Sequence, residues 1–224
     1  MFRYSSAMIR GAIFDCDGTL LDTMPLWREA AARYLSGLGI EVDKALGAKF
    51  FEMTVPESAQ VIRDEFNLDS TVEEITTGIY ETVAREYHDK VGLKPGAGEF
   101  IKALTRHGIP LTVVSSGSEA LIRPALARLG LEQNFMKILA SSETGLHKRQ
   151  PDMFLTAARL MGAKPEDIWV FEDALYAVRI AKTAGFHPVA IRDEASLAER
   201  EALEAEAEAY WEEYPAEIPA AWLR

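Results

Sequence analysis

The spacing of apolar and polar positions changes twice along the chain and divides it into three parts. An apolar run at Ile9–Phe14 predicts a buried strand, and the polar segment DCDGTLLDT follows it. From Met24 to about Lys90 the apolar residues recur at helical spacing, without a clear strand pattern. After the breaker cluster Gly92–Gly98, short apolar runs alternate with helical segments. One predicted strand therefore precedes a helical block, and the others follow it.

The alternation after residue 98 is typical of βαβ units in a parallel, two-sided sheet. The predicted strands are Leu111–Val114, Lys137–Ala140, Ile168–Phe171 and Pro188–Ile191. We therefore expect an α/β protein with a Rossmann-like parallel-sheet core formed by residues 1–23 and 92–224. Residues 24–91 would form an inserted all-helical domain above the first strand's carboxyl end, the end at which open α/β sheets bind ligands. The insert is placed to act as a lid.

Composition and charge exclude several classes of protein and of partner. Hydrophobic residues make up 48% and charged residues 26%, which excludes disorder, collagen and coiled coil. No apolar run is long enough to span a bilayer, so we expect no membrane partner. The net charge is −11, and the segment Asp193–Glu217 holds ten acids and one base. A basic footprint is absent, so we expect no nucleic-acid partner either.

Two features of the chain bear on where the protein works. Cys16 is the only cysteine, which rules out an internal disulfide and fits a reducing cytoplasm. Arg10 interrupts the apolar stretch near the start, so residues 1–15 do not resemble a signal peptide. We therefore expect a cytoplasmic protein. We also expect a monomer or a weak dimer.

The strongest chemical signal is the segment Asp15-Cys-Asp17-Gly-Thr19, directly after the first predicted strand. Two carboxylates two positions apart on an extended chain would point to opposite sides. A turn that begins after Asp15 can bring both to the edge of the sheet. One carboxylate could then be a nucleophile and metal ligand, and the other a general acid and base.

These residues resemble the haloacid dehalogenase superfamily, specifically its C1-capped phosphatases and beta-phosphoglucomutase-like enzymes. The first family motif is matched by Ala12–Thr19, and the second by Leu111–Ser115. The third is matched by Lys148 in KRQPDMF, and the fourth by Glu172-Asp173 after a strand. The position and helical character of the insert resemble the C1-type cap of this superfamily.

The resemblance implies a role for each residue of the first motif. Asp15 would attack phosphorus in line to give an aspartyl-phosphate, and Asp17 would protonate the leaving oxygen and later take a proton from water. Several carboxylates and a phosphoryl group need counter-charge, so Mg²⁺ is implied. Its ligands would be the Asp15 carboxylate, the Asp17 carbonyl oxygen and Asp173, with Glu172 nearby.

The other matched residues would bind the phosphoryl group. Lys148 would neutralise the nucleophile and the phosphoryl oxygens, and Ser115 would donate a hydrogen bond to one of them, helped by backbone N–H groups around Ser116. Cys16 is expected to be a small buried side chain, because acidic neighbours disfavour a thiolate. Asp22 and Thr23 are expected to cap the first helix of the insert.

Departures from the family pattern favour a phosphatase that acts on a small phosphorylated metabolite. Haloalkanoate dehalogenases of the family lack an aspartate at the position of Asp17, so its presence here favours phosphoryl chemistry over dehalogenation. At the place where mutases of the family carry a histidine the chain has Trp27, and no arginine occurs in Phe50–Ser58. A sugar-phosphate mutase remains the alternative, followed by a non-catalytic binding module that recruits a partner through its acidic tail. Candidate substrate contacts in the insert are Trp27, Phe51 and Glu52, and an aromatic such as Trp27 could stack on a base or sugar face.

Two further departures lie beside the third and fourth motifs. The usual small residues after the acidic pair are replaced by Ala174-Leu-Tyr-Ala177, and the usual Gly-Lys-Pro is His147-Lys-Arg149. Bulkier groups at these positions are expected to alter the rim of the site, and Arg149 adds a second cation near it.

Overall fold

A computed structural model describes residues 8–51 and 53–223. The chain divides into two compact units, one of Met1–Asp22 with Gly92–Arg224 and one of Thr23–Val91. The strands are β1 (Gly11–Phe14), β2 (Leu111–Ser115), β3 (Lys137–Ala140), β4 (Ile168–Glu172), β5 (His187–Ile191) and β6 (Ala209–Trp211). The helices are α1 (Met24–Gly37), α2 (Lys44–Phe51), α3 (Val55–Phe66), α4 (Val72–Asp89), α5 (Ala97–Arg106), α6 (Glu119–Arg128), α7 (Ser141–Thr144), α8 (Asp152–Met161), α9 (Leu175–Thr183) and α10 (Arg200–Glu206).

The first unit is built on a six-stranded sheet in which every pair of neighbours is parallel. The strand order is β3-β2-β1-β4-β5-β6, so the chain first builds outward from β1 on one side and then returns to add β4 on the other. This confirms the predicted α/β class with a parallel sheet. The four strands predicted after the insert are all present, with ends that differ by no more than one residue.

Both faces of the sheet are covered, which explains why its strands are mostly apolar. On one face Ile13 and Val170 pack in a cluster with Phe154 of α8 and Ala177 of α9. On the opposite face an aromatic cluster surrounds the stacked rings of Phe14 and Phe171, whose centroids are 4.4 Å apart. The rings in contact with this pair include those of Phe100, Phe135, Trp211, Tyr214 and Trp222.

The predicted first strand begins later than the apolar pattern indicates. Sheet pairing starts at Gly11 rather than at Ile9. The N–H of Ile9 donates to the carbonyl of Trp222 at 2.8 Å, and that of Arg10 donates to Asp167 at 2.8 Å. Ile9 is buried although it does not pair with a neighbouring strand. Its apolar side chain therefore extends the sequence pattern beyond the end of the strand.

The second unit is helical, as predicted for the insert, and consists of α1–α4. Helices α3 and α4 each begin with a capping box, in which Thr54 pairs with Glu57 and Thr71 pairs with Glu74. The prediction that Thr23 caps the first helix of the insert is correct for its position but wrong for its side chain. Thr23 occupies the N-cap position of α1 but makes no capping hydrogen bond through its side chain, because its backbone is already close to helical (φ −106°, ψ −16°).

The acidic C-terminal region only partly matches the sequence pattern, which predicts a solvated helix over residues 194–213 followed by an edge strand over Tyr210–Tyr214. It forms a 3₁₀ turn (Glu194–Glu199), then α10, then β6 at the edge of the sheet. Leu203, Tyr210 and Trp211 are buried, so three apolar side chains attach this acidic segment to the core. The charge pattern gives no sign of these anchors. None of the described helices is both long and apolar enough to cross a membrane.

Candidate active site

Three strands of the sheet deliver polar side chains to the same edge. Asp15 follows β1 directly, Ser115 is the last residue of β2, and Glu172 is the last residue of β4, with Asp173 next in the chain. Strands β1 and β4 are neighbours at the point where the strand order reverses. Ligands of open parallel sheets bind in the crevice outside such a point.

The acidic groups at this edge converge closely. Oxygens of Asp15, Glu172 and Asp173 all lie within 4.8 Å of one another. The ammonium of Lys148, which precedes α8, forms ion pairs with both Asp15 and Glu172. The side chains are almost fully buried, with 9% of Asp15, 3% of Lys148 and 1% of Glu172 exposed. The structure therefore brings together four of the residues that the sequence predicts for the site.

Burial controls the proton affinity of this cluster. Desolvation raises the pKa of Asp15 above its ordinary value, although the nearby Lys148 ammonium opposes the rise. Desolvation likewise raises the pKa of Glu172 to about 7, again against Lys148, and raises that of Asp173 with help from the charges of Asp15 and Glu172. For Lys148 burial lowers the pKa, but the Asp15 and Glu172 carboxylates outweigh it and the net change is upward.

The donor set fits a divalent cation. Three buried carboxylates face one ammonium, so the cluster carries excess negative charge at neutral pH once its acids ionise. Glu172 Oε1 is in ion-pair range of Lys148 but accepts no hydrogen bond of normal geometry among the described residues. Carboxylate oxygens gathered in this way are the ligands that Mg²⁺ prefers.

The turn after β1 places the second aspartate near the end of β2. Gly18 has φ 81°, a conformation that favours glycine, and its N–H donates to Leu21 at 2.9 Å. The Asp17 carboxylate is half-buried and does not join the three-carboxylate cluster through its side-chain oxygens. A Cβ built on Gly117 would lie 3.5 Å from Asp17 Oδ2 and 3.3 Å from Ser115 Oγ, so Asp17 and Ser115 face the same small space.

The loop after β2 holds the two predicted serines in different ways. Ser115 is buried, and its Oγ accepts a hydrogen bond from the Gly117 N–H at 3.0 Å. Ser116 is exposed and lies beside the phenol of Tyr176. The guanidinium of Arg149 in turn stacks on the Tyr176 ring, 4.9 Å from its centroid. Arg149 and Tyr176, which depart from the family pattern beside the third and fourth motifs, are therefore in contact with each other.

The structure describes only some of the residues of the insert that are candidates for substrate contact. Trp27 is half-buried and packs edge-on against Tyr80 with ring centroids 6.0 Å apart. It also lines a cavity of about 110 Å³ within the second unit, together with Phe50 and Met53. Glu52 and the side chain of Phe51 lie outside the described residues. Their proposed role in substrate contact stays a prediction.

Sequence reasoning missed several polar residues that surround the cluster. Thr19 Oγ1 donates to Asp173 Oδ1 at 3.0 Å, and the Tyr214 hydroxyl donates to the carbonyl oxygen of Thr19 at 3.2 Å. Lys94 forms a buried ion pair with Asp193 at 2.9 Å. Thr19 belongs to the first motif and could have been found there. The other contacts join positions 99 to 195 residues apart, which no local pattern reveals. The Cys16 side chain is buried, as predicted.

Comparisons with known proteins agree with this geometry. The sequence model of the haloacid dehalogenase-like hydrolase family matches residues 9–185. The chain is 33% identical over 183 residues to fructose-1-phosphate phosphatase YqaB of Escherichia coli (strain K12), a match that covers 81% of this chain and 96% of that protein. It is 31% identical over 180 residues to the bifunctional riboflavin kinase/FMN phosphatase of Arabidopsis thaliana, which covers 80% of this chain and 47% of that protein. The chain thus spans about half the length of this second relative.

Solved structures show the same architecture. A candidate beta-phosphoglucomutase from Thermotoga maritima superposes with a TM-score of 0.78 at 25% identity, over 91% of this chain and 94% of that one. CbbY from Rhodobacter sphaeroides in complex with phosphate has a TM-score of 0.75 at 23% identity, over 92% and 95% of the two chains, and supports the fold. Because the family match covers most of the chain and the curated relatives named above are phosphatases, the chain belongs to the haloacid dehalogenase-like hydrolase family, as a hydrolase of the phosphatase type.

Proposed function

We propose that the protein is a Mg²⁺-dependent phosphatase that hydrolyses small phosphorylated metabolites through a phosphoryl group carried by Asp15. The observation that carries the proposal is the convergence of Asp15, Glu172, Asp173 and Lys148 at one strand edge. Phosphoryl transfer needs a positioned nucleophile and dense positive charge around the transferred group, and little else from the protein. This cluster offers both when a divalent cation joins Lys148.

In the first step Asp15 attacks phosphorus in line, a new O–P bond forms, and the bond from phosphorus to the leaving oxygen breaks. Asp17 donates its proton to that oxygen, which leaves as an alcohol. Lys148 stabilises the negative charge of the phosphoryl oxygens, and the Ser115 region supplies hydrogen bonds to them.

In the second step water attacks the phosphorus of the phosphorylated Asp15. Asp17, now ionised, takes the proton from that water, the bond between phosphorus and the Asp15 oxygen breaks, and inorganic phosphate leaves. Both carboxyl groups return to their starting states. Asp17 suits both steps because it lies next to the nucleophile while its carboxylate remains outside the buried cluster.

Asp15, Asp173 and Glu172, together with the Asp17 carbonyl oxygen, would hold the magnesium ion. When bound, the ion neutralises charge that accumulates on the transferred phosphoryl group. Lys148 alone leaves the three carboxylates unbalanced, so phosphate binding without the ion is expected to be weak. The family generally uses Mg²⁺, in agreement with this donor set.

A sugar-phosphate mutase is the second candidate, because a structure at 25% identity is a candidate beta-phosphoglucomutase. Trp27 opposes this alternative, since it occupies the position at which mutases of the family have a histidine. A mutase would convert hexose 1-phosphate to hexose 6-phosphate in the presence of the bisphosphate, without net phosphate release. A phosphatase would release phosphate stoichiometrically.

The test measures p-nitrophenyl phosphate hydrolysis with MgCl₂ and with EDTA, for wild type and two aspartate variants. Asp15→Asn should lower turnover by at least about a thousandfold, because the nucleophile is lost. Asp22→Asn is the matched control, because Asp22 is exposed and belongs to the same segment, and its rate should stay near that of wild type. Turnover that persists in EDTA, or that survives in Asp15→Asn, would refute the proposal.

A panel of phosphorylated sugars, nucleotides and short-chain acids then defines the substrate. Phosphate release is measured beside hexose phosphate isomerisation by NMR. Isomerisation faster than phosphate release would identify the protein as a mutase. Trp27→Ala should change the preference among the panel with little effect on p-nitrophenyl phosphate, if the indole contacts the organic part of the substrate.

A further inference from the structure

The last part of the chain, residues 186–224, lies beyond the match to the family model. It nevertheless contributes two buried polar side chains, Asp193 and Tyr214, to the region below the acidic cluster. Asp193 follows β5, and Tyr214 follows β6. The position of these two side chains suggests a role for the C-terminal region at the site itself.

Tyr214 is held firmly in place. Its ring packs against Phe14, Phe100 and Phe171 at centroid distances of 6.4, 5.6 and 6.1 Å. Its N–H donates to the carbonyl oxygen of Pro95 at 3.1 Å. Gly96 is required for this approach, because a Cβ at that position would lie 2.3 Å from the Tyr214 carbonyl oxygen. The phenol therefore occupies one position with little freedom.

From this position a chain of two hydrogen bonds leads to the candidate metal site. The Tyr214 hydroxyl donates to the carbonyl oxygen of Thr19 at 3.2 Å, and the Thr19 hydroxyl donates to Asp173 Oδ1 at 3.0 Å. All three side chains are buried, so water does not compete for these bonds. The first bond fixes the peptide that follows Thr19, and the second restrains the rotation of the Asp173 carboxylate.

A second contact holds the same loop at the next residue. Lys94 donates its backbone N–H to Leu20 at 2.9 Å, while its ammonium pairs with Asp193 at 2.9 Å. The loop between β1 and the insert is thus attached at successive carbonyl oxygens, those of Thr19 and Leu20. Because Tyr214 and Asp193 both come from the C-terminal region, the position of the loop depends on that region being folded onto the core.

We propose that Tyr214 is a positioning residue that acts through Thr19 to orient the Asp173 carboxylate for Mg²⁺. The proposal rests on the proposed function, in which Asp173 is a metal ligand. Groups that orient a metal ligand typically change metal affinity by about ten- to a hundredfold when removed. Tyr214 acts one bond further away than Thr19, so its effect should be the smaller of the two.

The test compares Tyr214→Phe with Tyr210→Phe. Both substitutions remove one hydroxyl from a buried tyrosine near the end of the sheet, and the Tyr210 ring packs instead against the Arg200 guanidinium, 4.9 Å from its centroid. Mg²⁺ binding is measured by titration calorimetry on substrate-free protein, and the Mg²⁺ dependence of p-nitrophenyl phosphate turnover is measured separately. Tyr214→Phe should weaken Mg²⁺ binding by roughly three- to tenfold, with kcat at saturating Mg²⁺ and KM for substrate close to wild type. Tyr210→Phe should leave Mg²⁺ binding unchanged.

A second pair of variants tests the intermediate residue and covers a failure of Tyr214→Phe to fold. Thr19→Val removes the hydroxyl and should weaken Mg²⁺ binding by about tenfold or more, whereas Thr19→Ser keeps it and should bind near the wild-type level. Mg²⁺ affinity within twofold of wild type in folded Tyr214→Phe would overturn the proposal. So would equal affinities of Thr19→Val and Thr19→Ser. Because calorimetry needs no turnover, normal Mg²⁺ binding without any phosphatase activity would instead refute the proposed function.

Discussion

Glu172 is expected to make the stability of the metal-free protein fall as the pH rises. Its ordinary pKa is 4.5, and burial raises it to about 7 in the folded chain. Between these values the folded protein keeps a proton that the unfolded chain releases, so the folded state binds more protons and the free energy of unfolding decreases with pH. At roughly 1.4 kcal/mol for each pH unit, the raised pKa corresponds to about 3 kcal/mol.

Asp15 and Asp173 act in the same direction, because burial raises their pKa values too. Lys148 does not contribute to this window, since its ammonium stays protonated in both states. Mg²⁺ should reverse the trend, because it binds the ionised carboxylates and competes with protons. The ion should therefore stabilise the protein more at about pH 8 than at about pH 5.

The assay is urea unfolding followed by tryptophan fluorescence at both pH values, in EDTA and in MgCl₂. With a slope near 3 kcal/mol per molar urea, a loss of about 3 kcal/mol moves the midpoint down by about 1 M. Glu172→Gln stays neutral at both pH values and should show a clearly smaller pH dependence in EDTA than wild type. An EDTA midpoint that is constant or rises with pH, or an equal pH dependence in Glu172→Gln, would refute the reasoning.

Two further predictions concern stability. Lys148→Met should destabilise the protein in EDTA by roughly 3–5 kcal/mol at neutral pH, because it leaves buried carboxylates without their ammonium, whereas the exposed control Lys137→Met should change little. An equal effect of both, measured by urea unfolding, would contradict the buried ion pairs. Gly96→Ala and Gly108→Ala both place alanine at positive φ, +77° and +70°. Gly108→Ala should cost about 1–2 kcal/mol, and Gly96→Ala at least about 1–3 kcal/mol more, because its Cβ alone meets the Tyr214 carbonyl oxygen. Similar thermal midpoints would show that the backbone relaxes freely there.

The sequence determined the class of the fold, because buried strands and amphipathic helices each require a characteristic pattern of apolar residues. Strands that are buried on both faces need continuous apolar runs, and helices need a periodic apolar face, so β2–β5 and the helices of the insert follow directly from the pattern. The pattern was less reliable at Ile9, where burial continues but the hydrogen-bond partner is Trp222 rather than a strand. It was also less reliable after Asp193, where the expected edge strand over Tyr210–Tyr214 is present as β6 but begins one residue earlier, at Ala209, and ends at Trp211.

The sequence also determined which side chains could carry the chemistry, since Asp15, Lys148 and Asp173 stand in short motifs with matched spacing. Only the tertiary structure decided how they meet. The order of the strands sets β1 beside β4, which brings Asp15 to Glu172 and Asp173 and buries them deeply enough to raise their pKa values. Tyr214 could not be found from the sequence, because a hydrogen bond across 195 residues depends on the folded backbone and leaves no trace in local spacing.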